Sequence, residues 1–379
     1  VIYLDGNSLG PLPKGTPMRL AEVVLEEWGE GLIRSWNSAD WITTPQRVGA
    51  QIAPLIGAGP HEVIAADSTS VNLFKLIAAA LAMRPGRKAI LSEPGNFPTD
   101  LYMIAGLEAQ GLAIRRLAPR ETLAGALEDD VALLLLTHVH YKTGAIHDMA
   151  ALSRAAHAAG ALVLWDLSHS VGALPVDLNG CEADFAVGCG YKYLNGGPGA
   201  PAFAFVAERH HEALQQPLTG WMGHADPFAF TDDYTPGAGI DRLLSGTPPI
   251  LGLAALEVGA GLIAEIGVER LYAKSRQLSE FFRLCLRELG VELDLASPTG
   301  PAQRGSQLSF RHPQAYALSQ ALIARGVIGD YRDPDILRLG FAPAYLRFED
   351  VAEAARHLAE VLNGGEWQRE EFRERAAVT

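Results

Sequence analysis

Cysteine is scarce: the 379 residues contain three, Cys181, Cys189 and Cys285. They fit no metal-ligand spacing, and an odd count gives no even disulfide framework. A disulfide-stapled secreted fold is therefore excluded, and a reducing, cytoplasmic compartment is the expectation. Positive charge is also short, with 31 Lys and Arg against 44 Asp and Glu, a formal charge of −13. That field disfavours a nucleic-acid backbone or an anionic membrane as the main partner, so local groups must hold any anionic ligand. Long uncharged apolar runs are missing too. The most apolar stretch, "ILGLAALEVGAGLIAEIG" (250–267), carries Glu257 and Glu265 and reads as a buried helix after Pro248 and Pro249. The opening "VIYLDGNSLGPLP" lacks the basic and apolar regions of a signal peptide. It also lacks an initiator Met, so further residues are expected before Val1.

What is present is ordinary globular composition, 48% hydrophobic and 20% charged. The length suggests about two domains. Apolar runs expected as strands are "KAILS" (88–92), "LAIRRL" (112–117), "VALLLLTH" (131–138), "ALVLWD" (161–166), "ADFAVGC" (183–189) and "APAFAFV" (200–206). Helical patterns at 98–110, 121–129 and 147–159 separate the first four. That alternation predicts an α/β fold with a mostly parallel sheet covered on both faces. Between the last two runs no crossover helix fits, so one of them should be antiparallel. A long helix over 250–289 should lead into an α+β remainder with strands at 306–312 and 335–340 and helices at 314–325 and 349–363. The charged tail from residue 366 is expected to fray. We expect an N-terminal segment, 1–40, a large α/β domain, 41–265, and a small α+β domain, 266–379.

In open α/β sheets, ligands sit beyond the carboxyl ends of the strands. Here "ALVLWD" ends at Asp166, followed by His169; "VALLLL" ends at Thr137; "ADFAVGC" leads directly into Tyr191, Lys192 and Tyr193. A strand-end acid paired with a lysine after the next strand suits pyridoxal phosphate, whose aldehyde is held by an amine and whose ring nitrogen is held by a carboxylate. Asp67, Ser68, Thr69 and Ser70 precede an apolar helix, which makes them an N-cap by sequence and a phosphate cradle by chemistry. Phe97 offers a flat cover for a ring. The glycines after Lys192 would let backbone pass close to the coenzyme. Each feature alone has a plainer reading: hydroxyl clusters before helices are mostly caps, strand-end acids mostly turn residues, and single histidines or phenylalanines mostly core. Their joint occurrence, in order and at strand ends, favours the coenzyme.

These residues bring a family into view. "YLDGNSLGPLP", "NFPTD", "WDLSHSVGALPVDL", "CGYKYLNGGPGAPAF", "GWMGH" and "PPIL" resemble the kynureninases, fold-type-I pyridoxal phosphate hydrolases of the class V aminotransferase-like superfamily. The resemblance runs from residue 3 to about residue 347. It implies a seven-stranded, mostly parallel sheet and hydrolysis of L-kynurenine to anthranilate and L-alanine in tryptophan catabolism, on a route toward NAD. It further implies that Lys192 carries the coenzyme, Asp166 partners the ring nitrogen and His169 lies beside the ring oxygen. Thr69, Ser70 and Tyr191 would serve the phosphate; Phe97, Pro98, Thr99 and Asp100 the turn over the ring; Thr137 a further contact. Trp221 and Thr247 would reach a site across a homodimer interface. Arg338 would grip the substrate carboxylate, with Asn7, Ser8, Trp36 and Thr247 also near substrate. Arg304, Arg311 and Arg332 remain rivals to Arg338 by sequence. Tyr191 is the candidate acid, or else a phosphate ligand only. In the branch that prefers 3-hydroxykynurenine, the position of Thr247 resembles Asn, so a preference for unhydroxylated kynurenine is expected here. Two alternatives stay open: a class V cysteine desulfurase or aminotransferase, and a non-enzymatic binding protein on the same fold.

Overall fold

The computed structural model describes residues 1–375. Thirteen strands follow in chain order: β1 (Ile2–Tyr3), β2 (Val63–Ala65), β3 (Ala89–Ser92), β4 (Ile114–Leu117), β5 (Val131–Thr137), β6 (Leu162–Asp166), β7 (Phe185–Gly188), β8 (Phe203–Val206), β9 (Asp294–Leu295), β10 (Gln307–Arg311), β11 (Val327–Ile328), β12 (Asp330–Arg332) and β13 (Ile336–Gly340). The α-helices are α1 (Thr16–Glu22), α2 (Ser35–Ser38), α3 (Thr44–Ile52), α4 (Thr69–Met83), α5 (Pro98–Ala109), α6 (Met149–Ala158), α7 (Ile250–Ile266), α8 (Val268–Glu288), α9 (Ala315–Ala324) and α10 (Phe348–Asn363).

The expected α/β architecture is present. Seven strands form one sheet in the order β2-β8-β7-β6-β5-β3-β4. Only β8 runs against the rest, pairing antiparallel with both β7 and β2. β5, β6 and β7 are buried along their whole length, as parallel strands covered on both faces must be. Two apolar layers sandwich the sheet, one containing Trp165, Phe203 and Phe205, the other Phe185, Leu133 and Leu164. A second sheet, β12-β13-β10-β9, has its own core around Leu278, Phe282, Leu308 and Leu358.

Several expectations change. The single helix expected over 250–289 is two helices, α7 and α8, bent by 79° at Gly267. Gly267 has φ +87°, a left-handed conformation that an L side chain resists, so the helix ends there. Among the described residues, no single helix is long and apolar enough to cross a membrane. The helix expected at 121–129 is a 3₁₀ run, Arg120–Ala126. The segment around Trp36 is helical: α1 continues as a π-helical segment, Val23–Gly31, that leads by a short turn into α2. The tail does not fray over its described part: Phe372 is buried, Trp367 packs edge-on to His312, and Glu366 pairs with Arg325. Residues 376–379 of that expectation lie outside the described residues.

Candidate active site

Parallel packing puts the carboxyl ends of β5, β6 and β7 side by side, with Thr137 paired in register to Asp166, and Asp166 to Val187. Lys192, four residues beyond β7, is therefore delivered beside Asp166. Its side chain is buried, and Nζ lies 5.5 Å from the centre of the Phe97 ring and 5.8 Å from that of Tyr191. Among the described residues, Lys192 Nζ donates no hydrogen bond. The other amines are engaged: Lys75 with Asp67 and the Leu243 carbonyl, Lys142 with the Asp333 carbonyl, and Lys88 with that of Gly111.

Asp166 accepts the Ser168 N–H at 2.7 Å. Burial pushes its carboxyl up, while Lys192 and the Ser168 hydrogen bonds pull it down. Asp100, wholly buried in the first turn of α5, is pushed well above the usual carboxylate range by burial and then by the charge of Asp166. Asn96 fixes this corner, donating to Asp100 Oδ2 at 3.1 Å and accepting the Thr137 N–H at 2.9 Å. His169 bonds Gln307 through Nδ1, at 3.3 Å, and is held well below the usual histidine range by burial and by Lys192. It is neutral.

At the other end, Thr69 opens α4 and its Oγ1 meets Cys189 Sγ at 3.3 Å; Sγ in turn donates to Ser168 Oγ at 3.1 Å. Ser68 is the N-cap, accepting from the Val71 N–H, which leaves the first-turn hydroxyls of Thr69 and Ser70 outside the capping bond. Burial raises the Tyr191 phenol well above its ordinary value, and Cys189 raises it further. Pro98 and Thr99 start α5 directly after Phe97, whose ring meets that of Tyr141 edge-on at 5.2 Å.

The N-terminal "GNSLG" segment folds into the same place. Gly10 donates its N–H to the Tyr191 carbonyl at 2.8 Å. A side chain at Gly10 would lie 2.2 Å from the Lys192 carbonyl, so only glycine fits. Ser8 then accepts from Arg338 Nη2 at 2.8 Å. Asn7, its amide oxygen turned to Arg338, accepts from Nε at 3.0 Å and Nη2 at 3.1 Å. Arg338 is buried on β13 and forks onto Asp330 of β12, with Nη1 donating to the Tyr141 carbonyl at 2.7 Å. A cavity of about 450 Å³ joins Ser8, Asp67, Thr69, Cys189, Tyr191 and Gly199. A larger groove of about 850 Å³ lies between Arg283, Arg287 and His312, and none of the candidate residues lines it.

Of the rivals to Arg338, Arg304 is spent on Glu280 and the Pro298 and Thr299 carbonyls, and Arg311 on the exposed Asp294. Arg332 does join the site, through Asp330 and Ser8. Trp36, Trp221 and Thr247 are not brought in within one chain. The Trp36 ring packs edge-on to Trp41, the Trp221 ring lies among Phe228 and Phe230, and Thr247 is exposed. Before Lys192, a side chain at Gly190 would strike the Pro201 carbonyl at 2.1 Å, so backbone packs on backbone there; in the turn after Lys192, Gly197 and Gly199 hold φ of +84° and +75° with open space beside them. Asn96, Tyr141, Ser168, Cys189, Gln307, Asp330 and Asp5 were not among the sequence candidates. Asp5, Asn96, Ser168 and Cys189 sat inside quoted motifs; Tyr141, Gln307 and Asp330 did not.

The arrangement fits a pyridoxal phosphate cradle. Thr137 Oγ1 and Asp100 Oδ1 are buried without a hydrogen-bond partner, as expected where a ligand completes the bonding. The profile of the kynureninase C-terminal domain matches residues 271–358. A kynureninase of Burkholderia mallei is 50% identical over 388 aligned positions, covering 100% of this chain and 93% of that protein.

The chain belongs to the kynureninase family.

A kynureninase of Deinococcus radiodurans is likewise 50% identical, over 96% of this chain and 90% of its own length. Among solved structures, the apo cysteine desulfurase of Thermococcus onnurineus superposes with a TM-score of 0.82 at 20% identity, covering 96% of this chain and 95% of its own. The cystine C–S lyase C-DES gives 0.83 at 19%, over 95% and 97%. These two share the fold. Kynureninase kinship thus decides between the family and its desulfurase neighbours. Cys189 is buried beside a strand end and bonded to Thr69 and Ser168.

Proposed function

We propose that this enzyme hydrolyses L-kynurenine to anthranilate and L-alanine, using pyridoxal phosphate held by Lys192. Full-length kinship with the kynureninases carries the reading. When bound, the coenzyme supplies an electron sink for bonds broken at the substrate's amino-acid end. The rest falls to the chain. With substrate bound, the Lys192 amine would be the base for the Cα proton. Asp166 would hold the proton of the ring nitrogen, with Asp100, Asn96, Thr137 and Phe97 shaping the ring pocket along with Pro98 and Thr99. Thr69 and Ser70 would hold the phosphate. His169, neutral, would hydrogen-bond without adding charge beside the ring. Tyr191 keeps its proton at neutral pH and serves as the acid for the later proton transfers. Arg338, with Asn7 and Ser8, grips the carboxylate; a planar fork of donors suits it. Anthranilate fluorescence on mixing with kynurenine tests the reading, with cysteine and an amino donor as controls. Release of sulfur or transfer of an amino group in place of anthranilate would sink it.

The division into 1–40, 41–265 and 266–379 is part of this proposal, supported by the separate apolar cores and the break at Gly267. So are a cytoplasmic location and a homodimer with shared sites. Trp221, Phe228 and Phe230 cluster at 38%, 54% and 76% exposure, an apolar surface that a second copy would cover. Mixing Lys192→Ala with Trp221→Ala subunits should recover about a quarter of the wild-type rate, because half the dimers are hybrids with one intact site each. No recovery after verified subunit exchange would count against shared sites.

Kynurenine should be preferred to 3-hydroxykynurenine. Neither Thr247 nor Trp36 reaches the site within one chain, so this reading rests on the homodimer: there Thr247, shorter than Asn, and the apolar Trp36 would leave a ring hydroxyl poorly paired. An unpaired buried hydroxyl costs about 1–3 kcal/mol, or roughly tenfold in kcat/KM. Equal kcat/KM for the two substrates would remove the pocket argument.

A further inference from the structure

The carboxylate site contains more acid than the grip itself needs. Arg338 and Arg332 carry two positive charges, and Asp330 and Asp5 two negative ones, so the cluster is balanced before any ligand arrives. The Arg338 and Asp330 side chains are 1% exposed and that of Asp5 16%, so charge here is poorly screened. A ligand carboxylate adds a third anion against two cations. One acid must then accept a proton, or the site holds an uncompensated charge.

The hydrogen bonds show which acid yields. Asp330 accepts from Arg338 Nε and Nη2, from Arg332 and from the Ser8 hydroxyl. Protonating it would break that set. Asp5, on the turn after β1, has its Oδ1 buried with no hydrogen-bond partner, and its nearest cation is Arg338 Nη2 at 3.9 Å. We propose that Asp5 takes up a proton from solvent when a carboxylate ligand enters the Arg338 site, making substrate binding proton-linked. This rests on the reading of Arg338 as the carboxylate grip.

The surroundings leave Asp5 as the group that titrates. Burial, then Asp330, push its carboxyl up to about 6, against the pull of Arg338, Ser8 and Arg332. The tyrosines facing it stay protonated: burial pushes Tyr3 up to about 12 and raises Tyr193 and Tyr345 well above their ordinary value. His169, which feels both arginines, stays neutral. An added anion raises Asp5 further. Between its free and bound values, binding therefore draws in a proton, and affinity falls as pH rises.

The probe is 4-(2-aminophenyl)-4-oxobutanoate, which keeps the aryl ketone and carboxylate but lacks the α-amine that reacts with the coenzyme. In wild-type holoenzyme its Kd should rise severalfold from pH 7 to 8, toward the tenfold limit for one proton. In Asp5→Asn the Kd should change less than twofold over that range. Titration calorimetry on the wild type, in buffers of different ionisation heat, should show net proton uptake at pH 7.5, so the test survives a variant that fails to fold. A flat wild-type profile, zero uptake, or an unchanged slope in Asp5→Asn overturns the proposal. Equal affinity in Arg338→Met and wild type would instead overturn the carboxylate-grip reading, and the linkage with it.

Discussion

Lys192→Ala is expected to abolish turnover, by roughly four orders of magnitude or more, as removal of a covalent catalyst does elsewhere. The visible band of the bound coenzyme should vanish, and borohydride reduction followed by peptide mapping should find no trapped adduct. The fold should survive, because among the described residues the Lys192 side chain makes no ion pair or hydrogen bond; its amine looks onto the rings of Phe97 and Tyr191. Specificity for this lysine is a matter of engagement as well as position. Lys75 is also buried, yet its amine is fixed between Asp67 and a backbone carbonyl and is not free to attack an aldehyde. An adduct mapped to Lys75, Lys88 or Lys142 would overturn the assignment.

Asp166→Asn should lower turnover by a hundredfold to a few thousandfold. The amide cannot balance a protonated ring nitrogen, and breaking a buried charge pair costs about 3–5 kcal/mol. Asp100 does not substitute for it. Burial and the repulsion of Asp166 push Asp100 well above the usual carboxylate range, while burial raises Asp166 against the pull of Lys192 and the Ser168 hydrogen bonds, so Asp166 is the acid that gives up its proton first. Thermal melting should be nearly unchanged, since Asn retains the oxygen that accepts the Ser168 N–H. Turnover close to wild type would remove Asp166 from the mechanism.

Much of this site is readable from the chain because parallel strands are buried on both faces. Runs such as "VALLLL" and "ALVLWD" stand out, and their ends mark where ligand chemistry sits. Thr137, Asp166 and Lys192 were legible for that reason. The helix break at Gly267 was harder to read, since apolar residues continue on both sides and only the backbone angle shows the turn. The two-residue strands β1, β9 and β11 are too short for any period to show. The charged tail looked polar enough to fray, but its one Phe and one Trp find the small core.

The sequence by itself determined the fold class, the family and the lysine–aspartate pair. Each of these is written in local patterns or in motif order along the chain. Tertiary structure decided which arginines face the site, Arg332 and Arg338. Arg304, Arg311, Arg332 and Arg338 are alike as side chains, and they differ only in which neighbours the fold places beside them. It also placed Asp5 against Arg338, 333 positions later, and left one of its oxygens without a partner. Charge balance in a buried cluster depends on distance and solvent exclusion, and neither is encoded in the spacing of residues along a chain.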